Sequence, residues 1–129
     1  MRYSEIYAPS ITVKKDHHAV QQACRYMHDH AAEGLTLTEI AKQVGLSRFY
    51  FLRVFRDEIG MPPHAYLESV RINKSKQLLE TGLPLNQIAI ETGFSDQSHF
   101  TNCFKRQLGV TPGQYLLEIK NRYKFFLVL

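Results

Sequence analysis

The chain is sparing with cysteine: Cys24 and Cys103 are the only two in 129 residues. Two thiols do not make a disulfide framework, and the expected setting is a reducing, cytoplasmic one. No apolar run approaches the ~20 residues that span a bilayer. The opening, MRYSEIYAPS, lacks the charged-then-apolar layout of a secretory signal. A glycine-rich phosphate loop is missing, and no Ser/His/Asp, Cys/His or paired-carboxylate arrangement stands out. Signals for β-strands are nearly absent too. A chain of this size has room for one domain, or two very small ones on a shared scaffold, but not for a separate catalytic domain. The expectation is an all-α protein that is not an enzyme and needs no cofactor.

What the chain does have is a mild basic excess in a particular place. Its net charge is +4, and residues 1–34 carry four Lys/Arg against four Asp/Glu, which cancel. Residues 35–129 carry twelve against eight, so all of the excess lies there. That distribution raises the odds of a polyanionic partner.

The same region repeats itself. Leu35, Leu37, Ile40, Ala41, Gly45 and Ser47 recur as Leu83, Leu85, Ile88, Ala89, Gly93 and Ser95 at an offset of 48. After one inserted residue, Phe51, Phe55, Arg56, Gly60, Pro63 and Tyr66 recur as Phe100, Phe104, Lys105, Gly109, Pro112 and Tyr115 at 49. Every long segment is helical in period. Asp16 reads as the N-cap of a first helix reaching about Ala32, with Val20, Cys24, Met27 and Ala31 as its apolar face. Thr36-x-x-Glu39 is a capping box opening a short helix, Gly45 supplies a left-handed turn, and Ser47 caps a second helix to about Ile59. Gly60 and Pro62-Pro63 separate it from a long helix to about Thr81. The copy follows: a helix over 85–92, a turn at Gly93, a helix capped by Ser95, and a last one from Thr111-Pro112. The expected organisation is an arm or linker over 1–15, subdomains over 16–62 and 82–124, a linker helix over 63–81 and an apolar tail at 125–129, expected to pack on its own domain in preference to a contact with a missing domain or a second subunit.

Each copy reads as a helix-turn-helix. Ala41 and Ala89 let two helices approach closely, and buried Ile40, Leu46, Phe51 and Phe55, with Ile88, Phe94, Phe100 and Phe104, hold the two units together. The outward face of each second helix is then fixed by geometry. In the first copy it is Phe49, Leu52, Arg53 and Arg56, with Phe49 and Leu52 equally open to a place in the core; in the second it is Ser98, Thr101, Asn102 and Lys105, at the same spacing. Arg48 and Asp96-Gln97 stand at helix N-termini, the ends that enter the major groove in this motif. Arg48 and Arg53 suit guanine edges, Gln97 and Asn102 suit adenine, and Phe49 and Leu52 suit thymine methyl groups. Arg56, Lys105 and Arg106 suit phosphates, while Ser47 and Ser95 cap helices whose positive ends face the duplex. Asp96 either accepts from a cytosine amino group or strengthens its cap. A rigid spacer of roughly 18 residues, about 27 Å long, would hold the two reading helices near one DNA turn apart. Unlike faces predict an asymmetric double-stranded site.

These residues resemble the DNA-binding domain of the AraC/XylS family of bacterial transcription regulators, over about 16–116. The most specific stretch is IAIETGFSDQSHFTNCFKRQLGVTPGQY, residues 88–115, and Arg71 followed by Leu78-Leu79 resembles the linker-helix pattern. The resemblance implies seven helices in two helix-turn-helix units joined by a linker helix, and activation or repression of promoters, with RNA polymerase as a partner. It assigns base contacts to Phe49, Leu52 and Arg53 in the first unit, and to Gln97, Ser98 and Asn102 in the second. Leu52 departs from the polar residue frequent at its position, Asn102 from a basic one, and Leu116 from arginine. Ser75 departs from a small apolar residue and leaves a hydroxyl to be satisfied. Family members often carry an N-terminal effector or dimerisation domain, and the aperiodic opening reads as an interdomain linker, so a C-terminal portion is favoured over a stand-alone regulator. Two other readings carry less weight: a helical protein-interaction module, and zinc held by Cys24 and His28 with His17 and His18 upstream. Cys24 on an apolar face reads as a buried free thiol instead, and no metal site and no membrane contact are expected.

Overall fold

A computed structural model describes the backbone of residues 9–128 and the side chains of residues 13–124. Among the described residues there are seven helices and no strand: α1 (Pro9–Asp29), α2 (Leu37–Gln43), α3 (Arg48–Ile59), α4 (Pro63–Leu79), α5 (Leu85–Thr92), α6 (Gln97–Leu108) and α7 (Pro112–Val128). No described helix is long and apolar enough to cross a membrane. The chain divides into two compact units, Met1–Leu67 and Glu68–Leu129, and the division falls inside α4. The fold is the expected one of two helix-turn-helix units joined in sequence by that helix.

In the first unit α1 packs on α2 and α3, and α2 packs on α3. The α2 start is the expected capping box, with Thr36 accepting from the Glu39 amide and the Thr36 amide donating to the Glu39 carboxylate. Gly45 takes φ +72, a value that other L-residues rarely adopt. Ser47 Oγ then accepts from the Tyr50 amide and opens α3. Phe51 and Phe55, one turn apart, are fully buried with ring centroids 5.5 Å apart, and Phe55 meets Tyr66 edge-on at 5.6 Å. Leu46 is only half-buried.

The beginning of α1 corrects the sequence reading. The helix already runs at Pro9, and proline is tolerated in a first turn because its missing N–H has no intrahelical partner there. Residues 9–15 are therefore helical rather than part of an arm, and Asp16 sits inside the helix rather than capping it. Residues 1–8 lie outside the described part. The buried face of α1 is Ala19, Val20, Ala23 and Met27, with Cys24 half-buried at its edge, and Ala31 in the turn after the helix is buried as well.

In the second unit Ile72, Leu79, Ile88, Ala89, Phe94, Phe100, Cys103 and Phe104 form one buried cluster. Phe100 lies between Phe94 and Phe104, at centroid distances of 5.4 and 5.7 Å. The hydroxyl of Ser75, buried within α4, is satisfied by donating to the Ile72 carbonyl at 2.6 Å. Gly93 makes the turn at φ +103. The cap that follows differs from expectation: Asp96, not Ser95, opens α6, accepting from the His99 amide at 2.7 Å. Ser47 lies four residues before the buried Phe51, and Asp96 lies four before Phe100. The inserted residue thus falls before the cap, and Ser95 is displaced outside the helix, within 3.3 Å of His99 Nδ1. The backbone of α7 continues to Val128, while the expected packing of the 125–129 side chains lies outside the described residues.

Loss of a capping carboxylate or hydroxyl typically costs about 1 kcal/mol. Asp96→Ala should therefore lower stability by about that amount in urea unfolding, whereas Ser95→Ala should leave the midpoint nearly unchanged. The reverse order would restore Ser95 as the cap.

Candidate nucleic-acid interface

Burial of Phe51 and Phe55 sets the rotation of α3, and the remaining positions follow at 100° per residue. Ser47, Arg48, Phe49, Arg53 and Arg56 are exposed and Leu52 is half-buried. Phe49 is 79% exposed, which removes it from the core and places it on the outward stripe. The Arg48 guanidinium lies over its ring at 5.5 Å, an arrangement in which the π face attracts the cation. Phe49, Leu52, Arg53, Arg56, Asp57 and Met61 border a surface hollow of about 380 Å3. Leu52 also lines a smaller apolar cavity of about 90 Å3 with Leu35, Leu37, Ile40 and Leu67. It is thus the wall between the interior and the outward face.

On α6 the buried residues are Phe100, Cys103 and Phe104. Gln97, Ser98, Asn102 and Lys105 are exposed, and Thr101 is half-buried. Ser95 and Asp96 are exposed just before the helix, with the Asp96 carboxylate engaged in the cap. The stripe is polar throughout and carries one cation, Lys105, where the α3 stripe carries two arginines and two large apolar groups.

Arg106 departs from its expected role beside Lys105. One residue further round the helix, its Nη2 donates to Glu68 Oε2 on α4 at 2.6 Å. The Cys103 thiol donates to the same oxygen at 3.3 Å. Burial pushes the Cys103 thiol up to about 11, with Glu68 adding to the shift and Arg106 opposing it. Burial also lowers the pKa of Arg71, against the pull of Glu68. Arg106 thus belongs to a clamp between α4 and α6.

Sequence reasoning missed two residues beside the first stripe. The Tyr50 hydroxyl donates to Asp16 Oδ2 at 2.7 Å, and Arg53 Cζ lies 5.1 Å from the Tyr50 ring centroid. No local pattern signals this, because Asp16 and Tyr50 are 34 positions apart. Elsewhere in the unit His28 Nε2 lies 3.1 Å from the Tyr66 hydroxyl. Burial, followed by Cys24, pushes that phenol up to about 12. Among the described residues, no group of three or more His, Cys, Asp or Glu side chains is arranged to hold a metal ion.

Comparison with known proteins bears on this geometry. A family model described as "Helix-turn-helix domain" matches residues 40–118. The chain is 41% identical over 80 residues to the uncharacterized HTH-type transcriptional regulator YbfI of Bacillus subtilis, covering 62% of this chain and 29% of that protein. It resembles an AraC-type DNA-binding domain-containing regulator from Chromobacterium violaceum, with 30% identity, a TM-score of 0.73, and coverage of 78% and 90% of the two chains. It also resembles the DNA-binding domain of the global transcriptional factor AdpA, solved in complex with a target DNA, at 27% identity, a TM-score of 0.76, and coverage of 80% and 94%. The chain spans 29% to 39% of the length of three of its curated relatives.

The raised Cys103 pKa has a measurable consequence, since the thiolate is the nucleophile. At pH 8, iodoacetamide should leave Cys103 unmodified in the native protein and alkylate it once urea unfolds the chain. Native-state labelling of Cys103 as fast as in urea would contradict its burial against Glu68.

Proposed function

The chain belongs to the AraC-type helix-turn-helix family, and from that membership we propose that it is a sequence-specific double-stranded DNA-binding transcription regulator, an activator or repressor. It inserts α3 and α6 into successive major grooves of one duplex. The observation that supports this most is the pair of outward stripes, each on the second helix of a helix-turn-helix unit and each fixed by two buried aromatic residues.

The roles follow from side-chain chemistry. Arg53 pairs with a guanine edge through its two-pronged guanidinium, and Arg48 stands ready for a neighbouring one. Phe49 and the exposed part of Leu52 meet thymine methyl groups. Gln97, Ser98 and Asn102 read base edges by hydrogen bonding, with adenine the natural partner of the two amides. Thr101, Arg56 and Lys105 bind the backbone and set the register. Ser47 and Asp96 cap helices whose positive ends point at the duplex. Ser95 flanks that second entry point, and Arg106, engaged with Glu68, has no base or phosphate role in this reading. The 17 residues of α4 extend about 25 Å at 1.5 Å per residue, a length suited to spacing two reading helices near one turn of DNA. Because the stripes are unlike, the preferred site is asymmetric and a single chain suffices to read it. RNA polymerase is the protein partner we infer, and the additional length of the relatives is where an effector or dimerisation domain belongs.

The test is binding to duplexes selected from a random pool, measured across salt concentrations. Contacts to several phosphates predict a steep fall in affinity with salt. Negligible binding at every salt would instead favour a helical protein-interaction module. Arg53→Ala should cost ~1–3 kcal/mol on the preferred site and relax preference at one base pair. Arg56→Ala should weaken all sequences alike and reduce the salt slope by about 1; a base-selective loss would reassign that residue to base reading.

A further inference from the structure

Helix α1 lies outside the duplicated segment, yet two adjacent residues on it reach α3. Asp16 accepts from the Tyr50 hydroxyl at 2.7 Å, and His17 pairs through Nδ1 with Glu58. Tyr50 precedes Arg53 by one turn, and the Arg53 guanidinium lies 5.1 Å from the Tyr50 ring centroid. Carboxylate, phenol and guanidinium therefore form a continuous chain from α1 to the stripe.

Each link limits the freedom of the next. A tyrosine ring anchored at Cβ alone is free to change rotamer, but a second anchor at its hydroxyl fixes the plane of the ring. The electron-rich ring face then attracts the cation and restricts a long side chain that solvent would otherwise leave mobile. The second unit has no such tether among the described residues. At the offset of 49, His99 and Asn102 stand where the first unit has Tyr50 and Arg53, and the contacts of His99 are with Ser95 and Phe94.

We propose that Asp16 and Tyr50 are positioning residues for base reading, holding the Arg53 guanidinium at its place on the α3 stripe before DNA arrives. The inference rests on α3 being a DNA-reading helix. The phenol of Tyr50 is held above its usual pKa, chiefly because Asp16 accepts a hydrogen bond from the neutral form, which agrees with a persistent tether.

The experiment is a double-mutant cycle on the whole chain, using Tyr50→Phe, Asp16→Ala, Arg53→Ala and the Tyr50→Phe/Arg53→Ala pair. Binding is measured to a selected duplex and to each of its single-base-pair variants, with urea unfolding run alongside. Tyr50→Phe keeps the ring and removes only the tether. It should reduce preference about 3- to 10-fold, the scale of one net hydrogen bond, at the same base pair that Arg53→Ala relaxes. The salt slope should stay unchanged, and the substitution should have almost no effect once Arg53 is gone. Should Asp16→Ala unfold α1, Tyr50→Phe carries the test alone. Equal losses with and without Arg53, or a loss spread evenly over all sequences, would make Tyr50 a packing residue and overturn the inference alone. Absence of wild-type binding to any duplex would overturn the DNA-binding reading and this inference with it.

Discussion

The structure depends most on a pair of buried phenylalanines one turn apart on the second helix of each unit. Phe51 and Phe55 in α3, and Phe100 and Phe104 in α6, are all fully buried. Burying each such side chain contributes roughly 1.5–3 kcal/mol, and two on the same face fix the roll of the helix as well as its position. Once that roll is set, the outward residues have no choice of direction. Alanines at the helix crossings and glycines at the turns matter because they let the aromatic pair reach its partners.

Much of this was legible because the signals are local. The Thr36–Glu39 capping box, the cap at Ser47, the left-handed glycines and the aromatic spacing each occupy a few consecutive residues, and each appears where its local chemistry places it. The failures share a different cause. Ser95 looked like the counterpart of Ser47 by counting from the turn, whereas the cap is set by its distance to the buried aromatic, which selects Asp96. Asp16 is an acceptable N-cap in isolation, but nothing adjacent to it announces Tyr50 34 positions away. Arg106 and Lys105 are neighbours in sequence and sit 100° apart around the helix, so one faces Glu68 while the other stays on the stripe.

Duplication left the two units alike in their cores and different on their surfaces. Both have an aromatic ladder ending on a tyrosine, with Phe55 against Tyr66 and Phe104 against Tyr115 at 5.6 and 5.4 Å. Their polar attachments do not correspond. In the first unit the second helix is tied to α1 through Asp16 and His17; in the second it is tied to α4 through Glu68. The first stripe mixes two arginines with apolar groups, and the second is polar throughout, an amide and two hydroxyls with the single cation Lys105. The buried aromatic positions correspond between the units, whereas most of the exposed ones on the two stripes do not.

Leu52 stands between these two regimes. It borders the outer hollow with Phe49 and Arg53, and the inner cavity with Ile40 and Leu67. Descendants of this chain that drift at 49 or 53 disturb only their neighbours on the surface and leave the inner cavity as it is, and a lineage can explore such changes one at a time. Drift at 52 alters the interior in the same step, so any new outward shape acquired there must be compatible with a re-filled cavity. Evolutionary retuning of this half of the molecule is therefore channelled around that leucine rather than through it.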